Sequence, residues 1–280
     1  MATSIRELLS WGERELSGAS ENPQLDARIL LAEILNISQT HLVTLDQVSS
    51  EQAKEFEAWI IRRKSCEPIQ YITTRAYFRS LTLAVGPGVL IPRPESELLV
   101  DAVIEYVKTR AQLSLNKTSV ADFGAGSGAL AISIATELPG SAVIAVESEP
   151  QALSWLEKNV AMLAPQVQVV QSNVQSFDGL GKFDVVIANP PYIPAGQSLP
   201  SEVREFEPAT SLFGGENGLE VPALFIDSAQ KALRPGGFLA LEHHESHSDE
   251  IANLLKKFFD EVTLHYDLNN RPRWSSGVRK

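Results

Sequence analysis

The 280-residue sequence has a single cysteine, Cys66, which excludes an internal disulfide and a cysteine-rich metal cluster. It has no apolar run long enough to span a membrane and no amino-terminal basic segment followed by an apolar one. Basic residues are scarce: 24 Lys and Arg stand against 35 Asp and Glu, for a net charge of −11. That balance argues against a protein that binds nucleic acid by neutralising its phosphates. We therefore expect a soluble protein of a reducing compartment, the cytoplasm.

The first seventy or so residues show helical periodicity and signals for helix starts. Ser4 with Glu7, and Ser49 with Gln52, fit the capping box, in which the hydroxyl and the third side chain each satisfy an unpaired backbone donor. Both pairs predict the start of a helix. We therefore predict a small helical domain over residues 1–73.

The pattern changes after that domain. Alternating apolar residues and the turn signal Gly86-Pro87-Gly88 predict a β-hairpin linker over residues 74–92. From residue 93 to residue 280, seven short apolar strands alternate with helices or lie at the end of the chain. Strands separated by helices of this length imply right-handed crossovers, so we predict an α/β domain with a doubly wound, mostly parallel seven-stranded sheet.

Residues suited to binding a nucleoside follow the first three predicted strands. The first strand runs into the glycine-rich turn Gly124–Gly128, where the backbone can turn tightly and approach a ligand closely. The second ends at Glu147, whose carboxylate can accept ribose hydroxyls, and the third ends at Asn173-Val174, which could contact an adenine ring. In a doubly wound sheet the ligand lies beyond the carboxyl ends of the strands. With Ala129, the glycine turn also fits the dinucleotide fingerprint G-x-G-x-x-A.

The fourth predicted strand, Phe183–Ala188, stops at Asn189-Pro190-Pro191-Tyr192. Proline cannot donate to a β-ladder, so the backbone must leave the sheet there. Asn189 offers one acceptor and two donors, Pro190 offers a carbonyl, and Tyr192 adds a flat aromatic face. This set suits a planar amide or amidine. The alternative is an ordinary proline-rich loop.

Together these motifs resemble those of class I S-adenosylmethionine-dependent methyltransferases: D-x-G-x-G-x-G after the first strand, an acid after the second, and N-P-P-Y after the fourth. Within that class the sequence resembles the HemK/PrmC-type glutamine methyltransferases that modify peptide chain release factors. The resemblance covers nearly the whole chain. Its further segments are Pro23–Ala27, Glu67–Ile72, Leu90–Glu97, Phe206–Pro208 and Arg271.

The resemblance implies an enzyme of translation termination that methylates N5 of the glutamine in a Gly-Gly-Gln loop. The donor would be S-adenosyl-L-methionine, the product S-adenosyl-L-homocysteine, and the helical domain would dock the release factor. No direct contact with nucleic acid or membrane, no metal and a monomeric state are expected. The implied catalytic residues are Asn189, Pro190 and Tyr192, and these with Pro191 would bind the substrate. The implied cofactor-binding residues are Gly124, Ala125, Gly126, Ser127, Gly128, Glu147, Asn173, Val174 and Asn189.

The sequence departs from the family pattern at the adenine site, where an acid is common at the position of Asn173 and an aromatic residue at that of Val174. Alternative substrates are a glutamine of a ribosomal protein and an exocyclic amino group of a nucleic-acid base. A nicotinamide-dependent oxidoreductase has no use for N-P-P-Y, and a non-catalytic binding module is a further alternative. The cluster His243, His244 and His247 is interpreted as structural or solvated, because it lacks the fixed carboxylate and helical spacing of a metal site.

Overall fold

The computed structural model describes residues 3–109 and 118–280 of the chain. Contacts divide the chain into two units, the first comprising Met1–Arg75 with Leu199–Phe206 and the second Ala76–Ser198 with Glu207–Lys280. Residues 199–206 lie far along the sequence from the rest of the first unit, and nothing in their composition marks them as part of it. The grouping arises from tertiary contact rather than from chain order.

The first unit is built from helices with a short two-stranded sheet. Its helices are α1 (Ile5–Leu16), α2 (Pro23–Leu35), α3 (Ser50–Lys64), α4 (Ile69–Thr73) and α8 (Ser201–Phe206), with a 3-10 helix at Gln39–Thr44. The strands β1 (Thr3–Ser4) and β2 (Gln47–Val48) pair antiparallel. Apolar side chains of α1, α2 and α3 form the core of this unit, with Leu16, Leu30, Phe56 and Ile60 fully buried.

The two predicted capping boxes have different outcomes. At the start of α3 the Ser49 hydroxyl accepts from the Gln52 amide at 3.2 Å, and the Gln52 side chain accepts from the Ser49 amide at 2.9 Å, so this box is confirmed. Helix α1 begins at Ile5 as predicted, but the Ser4 side chain makes no capping hydrogen bond. Ser4 lies in β1 instead, and the Ile5 amide donates to the Asp46 carbonyl at 3.0 Å. A strand pairing formed by distant residues thus replaces the local cap.

A β-hairpin follows α4, with strands β3 (Arg75–Phe78) and β4 (Leu81–Ala84), and all of it except Arg75 belongs to the second unit. Its turn contains Arg79, at φ 52°. Gly86-Pro87-Gly88, the predicted turn signal, therefore follows the hairpin rather than forming its turn.

The main sheet of the second unit contains seven strands within the described part of the chain. They are β5 (Ser119–Phe123), β6 (Ala142–Glu147), β7 (Gln168–Gln171), β8 (Phe183–Ala188), β9 (Leu233–Glu242), β10 (Phe259–Tyr266) and β11 (Pro272–Arg279). Their order is β10-β11-β9-β8-β5-β6-β7. Strands β5 to β9 pair in parallel, and β11 is antiparallel to both β9 and β10. The predicted doubly wound, mostly parallel sheet is confirmed.

Five helices of the second unit flank the strands of the sheet within the described part of the chain. They are α5 (Glu97–Thr109), α6 (Ala129–Glu137), α7 (Pro150–Leu163), α9 (Glu220–Ala232) and α10 (Ser248–Leu255). On one face, Phe225 of α9 and Ile251 of α10 pack against Phe123, Val186 and Leu239 of the central strands. Pro235-Gly236-Gly237 lies inside β9, in the part of this strand where its pairing with β8 shifts register.

The strand order positions a binding site. From β5 the chain moves outwards to β6 and β7, and it then crosses to the other side of β5 to form β8 and β9. The order therefore reverses between β5 and β8. In open α/β sheets a crevice forms at such a point, beyond the carboxyl ends of the two strands. The glycine turn after β5 and Asn189 after β8 border this crevice.

Candidate active site

A cavity of about 220 Å³ lies at the carboxyl ends of β5, β6 and β8, within the second unit. Its lining residues come from all three strand ends. They are joined by residues before α5, by the segment after Pro208 and by the start of α9. Among the lining residues are Ser96, Gly124, Ala125, Gly126, Ser127, Glu147, Asn189, Pro191 and Phe225.

The glycine turn after β5 forms one wall of the cavity. Gly124, Gly126 and Gly128 have φ values of 71°, 56° and 86°, in the left-handed region that favours glycine. Among the residues that the structure describes, a Cβ atom on Gly126 would have only Val89 within 4 Å, so this glycine faces open space. Gly128 comes directly before α6, so the turn delivers the amino terminus of this helix beside the cavity. The wall can accept a ligand in close contact with backbone.

Glu147, at the end of β6, is held by the backbone around it. Its Oε2 atom accepts from the Gly126 amide at 2.8 Å, and its Oε1 atom accepts from the amides of Ser148 and Glu149, each at 2.8 Å. A carboxylate offers about four acceptor sites. One site on Oε2 therefore remains for a ligand hydroxyl, and the carboxylate also ties β6 to the glycine turn.

Asp122 precedes the glycine turn and is completely buried. Its Oδ2 atom accepts from the Ala131 amide of α6 at 3.0 Å, whereas its Oδ1 atom has no partner among the described residues. Burial, with a smaller contribution from the nearby Glu147 carboxylate, raises the pKa of Asp122 to about 7. Asp122 opens the D-x-G-x-G pattern but is not among the residues that the sequence predicts for the site.

Asn189 and Tyr192 follow β8, and each is bound by a residue that the sequence did not indicate. The Asn189 Nδ2 group donates to the Ser96 Oγ atom at 3.0 Å, and the Tyr192 hydroxyl donates to Glu242 Oε1 at 3.0 Å. No donor among the described residues bonds to Asn189 Oδ1 or to the Pro190 carbonyl. These two acceptors lie on consecutive residues; Asn189 lines the cavity, whereas Pro190 is buried and is not among the lining residues.

Ser96 and Glu242 connect the two sides of this arrangement. The Ser96 hydroxyl donates to Glu242 Oε2 at 2.5 Å, and both residues are buried. Burial raises the pKa of Glu242 and, together with the Glu242 carboxylate, that of Tyr192. Ser96 lies just before α5 and Glu242 ends β9, so 146 positions separate them in the sequence. Only the folded sheet brings them together.

Arg93 and Glu207 form an ion pair beside the cavity, with Arg93 Nη2 2.5 Å from Glu207 Oε1. The other oxygen of Glu207 accepts from the Ile91 amide at 3.0 Å. The Glu207 side chain is only 1% exposed, so the pair fixes the backbone of Ile91–Arg93 where Pro92 and Arg93 line the cavity.

The structure does not bring Asn173 and Val174 into the lining of this cavity. Asn173 Oδ1 accepts from the Ser176 amide at 2.8 Å and thereby closes a turn, and Val174 packs against the sheet core. A ligand role for either residue stays a prediction. His243 bonds through Nε2 to the Ser275 hydroxyl at 2.9 Å, and no three metal-ligating side chains converge within the described ranges.

Two protein-family models match the sequence. One, described as the PrmC N-terminal domain, matches residues 7–73, and the other, described as the methyltransferase small domain, matches residues 96–206. Similar curated proteins include three release factor glutamine methyltransferases. That of Mycolicibacterium smegmatis is 35% identical and covers 99% of this chain and 98% of its own. Those of Streptomyces coelicolor and Bifidobacterium longum are 34% and 36% identical and cover 97% and 98% of this chain, and 96% and 99% of their own.

Similar solved structures support the fold alone. The hMettl16 catalytic domain in complex with the MAT2A 3'UTR hairpin is 16% identical, with a TM-score of 0.56 over 82% of each chain. The T. thermophilus 16S rRNA N2 methyltransferase RsmC, in complex with AdoMet and guanosine, is 23% identical, with a TM-score of 0.53 over 74% of this chain and 50% of its own. No helix in residues 3–109 and 118–280 is long and apolar enough to cross a membrane.

Proposed function

The chain belongs to the release factor glutamine methyltransferase family, and from this premise we propose that it methylates N5 of the glutamine in the Gly-Gly-Gln loop of peptide chain release factors. The methyl donor is S-adenosyl-L-methionine, and S-adenosyl-L-homocysteine is the product. The observation that carries the proposal is the pair of acceptors Asn189 Oδ1 and the Pro190 carbonyl, which accept no hydrogen bond within the described part of the chain, with Asn189 lining a cavity bordered by the glycine turn and Glu147.

The residues at the ends of β5 and β6 suit the donor. The open space at Gly126 allows the donor to lie close to the backbone of the glycine turn. The remaining acceptor site of Glu147 suits a ribose hydroxyl of the donor. Gly124, Ala125, Ser127 and Gly128 complete the turn. We assign Asn173 and Val174 to the adenine end of the site on sequence grounds. When bound, S-adenosyl-L-methionine supplies an electrophilic methyl group on a sulfonium that leaves as a neutral thioether.

The protein's part in the reaction is to hold the substrate amide. An amide nitrogen is a poor nucleophile because its lone pair is delocalised into the carbonyl. Asn189 Oδ1 and the Pro190 carbonyl each accept one N–H of the glutamine, which fixes the direction of the nitrogen, while Pro191 and Tyr192 flank the amide plane. Positioning of this kind contributes on the order of 7 kcal/mol to lowering a barrier. As the N–C bond forms, the nitrogen becomes acidic and releases one proton to solvent.

The helical segment 1–73 docks the release factor in this proposal, the hairpin region 74–92 links it to the catalytic part, and residues 93–280 carry the chemistry. The net charge of −11 favours a protein substrate over contact with nucleic acid. We further propose that the enzyme acts in translation termination in the cytoplasm, as a monomer.

The test is transfer of label from S-adenosyl-L-methionine to a purified release factor. We expect label in wild-type release factor, none in a variant whose Gly-Gly-Gln glutamine is alanine, and the same signal after nuclease treatment. Asn189→Ala should abolish transfer, whereas its donor affinity, measured by calorimetry, should change little. Label that persists in the glutamine-to-alanine release factor, or that nuclease removes, would refute the substrate assignment. Tight binding of NAD alone would refute the enzyme class.

A further inference from the structure

We propose that Glu242 and Ser96 are positioning residues that fix which way round the side-chain amide of Asn189 lies, so that its oxygen faces the substrate. This inference rests on the proposed function for its kinetic consequence, but its structural content can be measured without substrate. The two residues lie outside the N-P-P-Y segment, before α5 and at the end of β9.

The hydrogen-bond capacity of Ser96 limits how it can bind its two neighbours. A serine hydroxyl has one hydrogen to donate and two lone pairs that accept. Its hydrogen is directed at Glu242 Oε2, 2.5 Å away. Ser96 Oγ can therefore only accept from its other neighbour, Asn189, at 3.0 Å. The group of Asn189 that faces Ser96 must be the NH₂ group, and its oxygen must face away.

When Glu242 is ionised it sets the direction of this chain of hydrogen bonds, because a carboxylate only accepts; burial raises the pKa of Glu242, so this direction holds at a pH above that pKa. It accepts from Ser96 on one oxygen and from the Tyr192 hydroxyl on the other, at 3.0 Å. A single carboxylate thus orients both functional side chains of N-P-P-Y. Glu242 is 1% exposed and is not among the residues that line the cavity, whereas Ser96 is 4% exposed and lines it.

A reversed Asn189 amide would be unproductive. Its NH₂ group would then face the substrate amide, and two donors would meet. Asn189 and its neighbours could remain folded in that state, since asparagine has nearly the same shape in both orientations. If the hydrogen bonds that link Asn189, Ser96 and Glu242 are lost, we therefore expect a slower reaction. We do not expect an unfolded protein or the loss of the donor site.

The kinetic test compares Ser96→Ala with Ser133→Ala. Ser133 of α6 is also buried, but its hydroxyl has no partner among the described residues and it does not line the cavity. We expect Ser96→Ala to lower kcat by about ten- to a hundredfold, since small errors of position have costs of this size. The KM for release factor and the donor affinity should stay within about twofold. Ser133→Ala should retain the wild-type kcat.

A second variant tests the role of Glu242. In Glu242→Gln one side-chain oxygen becomes an NH₂ donor, so either Ser96 or Tyr192 loses its acceptor. We expect kcat to fall, and we expect the double variant with Ser96→Ala to be little worse than Glu242→Gln alone, since both act through one chain of bonds. Asp184→Asn is the control, because Asp184 is also buried but pairs with Arg234 at the amino end of β8.

An NMR measurement separates this inference from the proposed function. The side-chain NH₂ signals of Asn189, identified by their absence in Asn189→Ala, should show one hydrogen-bonded proton in the wild type and lose that signature in Ser96→Ala. If the wild-type protein does not methylate release factor, the proposed function is refuted. The NMR measurement then still decides whether Ser96 and Glu242 orient the Asn189 amide. Unchanged Asn189 signals in Ser96→Ala, or a kcat equal to that of Ser133→Ala, would overturn the inference.

Discussion

Replacing Asp122 by asparagine should change how the stability of the second unit depends on pH. Asp122 is completely buried before the glycine turn, and burial raises its pKa from 3.8 to about 7. The hydrogen bond that its carboxylate accepts from the Ala131 amide at 3.0 Å can be kept by the asparagine oxygen. The variant therefore preserves the local contact and removes the ionisation.

The sign of the effect depends on the proton affinity of the folded and unfolded states. Between about pH 4 and pH 7 the folded protein keeps the Asp122 proton and the unfolded chain has lost it, so folding becomes less favourable as pH rises. Each pH unit lowers the free energy of unfolding by about 1.4 kcal/mol, which gives a total loss of up to about 4 kcal/mol by pH 7. After subtracting about 1 to 3 kcal/mol for the asparagine NH₂ group, which has no partner among the described residues at the position of Oδ1, Asp122→Asn should be about 1 to 3 kcal/mol more stable than wild type at pH 8.

The assay is urea unfolding between pH 5 and pH 8. Unfolding is followed by hydrogen exchange of peptides from β5 and β8, so that the second unit is observed separately. Asp184→Asn serves as the control with the opposite sign, because it removes the ion pair with Arg234 and should lower stability at neutral pH. If Asp122→Asn is no more stable than wild type at pH 8, or if the difference between them is the same at pH 5, burial does not control the ionisation of Asp122.

Three further substitutions test the turn, the donor site and the helical unit. Glu147→Gln should weaken S-adenosyl-L-methionine binding by about 1 to 3 kcal/mol in calorimetry, since its NH₂ group must face a backbone N–H; an unchanged affinity would contradict this. Gly128→Ala should lower the free energy of unfolding by about 1 to 3 kcal/mol, because φ is 86° and the new Cβ would lie 2.7 Å from a Leu156 methyl carbon, whereas Gly196→Ala should have little effect. Ser49→Ala should lower the free energy of unfolding by about 1 kcal/mol. An equal loss in Ser4→Ala would show that both hydroxyls cap their helices.

Sequence patterns predicted the parts of the fold whose physical cause is local. The proline pair after Ala188 ends β8 because neither proline can donate to the ladder, and the Ser49 capping box forms because its partners lie three residues apart. The glycine turn after β5 is equally local. The residues that these signals place at the strand ends include Gly126, Glu147 and Asn189, all of which line the cavity.

The parts that the sequence did not predict depend on contacts between distant segments. Ser96 and Glu242 meet only because the sheet brings β9 beside β8 and the segment before α5 packs over their ends. Ser4 fits a capping box by spacing, but pairing with β2 gives it another role. Asn173 follows a strand and its side-chain oxygen closes a turn, a contact between near neighbours that spacing did not indicate, and its role at the donor site stays a prediction. Spacing alone cannot distinguish these outcomes.

The proposed reaction is most directly tested by tandem mass spectrometry of a release factor incubated with this enzyme and S-adenosyl-L-methionine. We predict one added methyl group, located on the side-chain nitrogen of the Gly-Gly-Gln glutamine, and none when Asn189→Ala replaces the wild-type enzyme. An unmodified Gly-Gly-Gln peptide, or a methyl group on any other residue of the release factor, would contradict the proposed reaction.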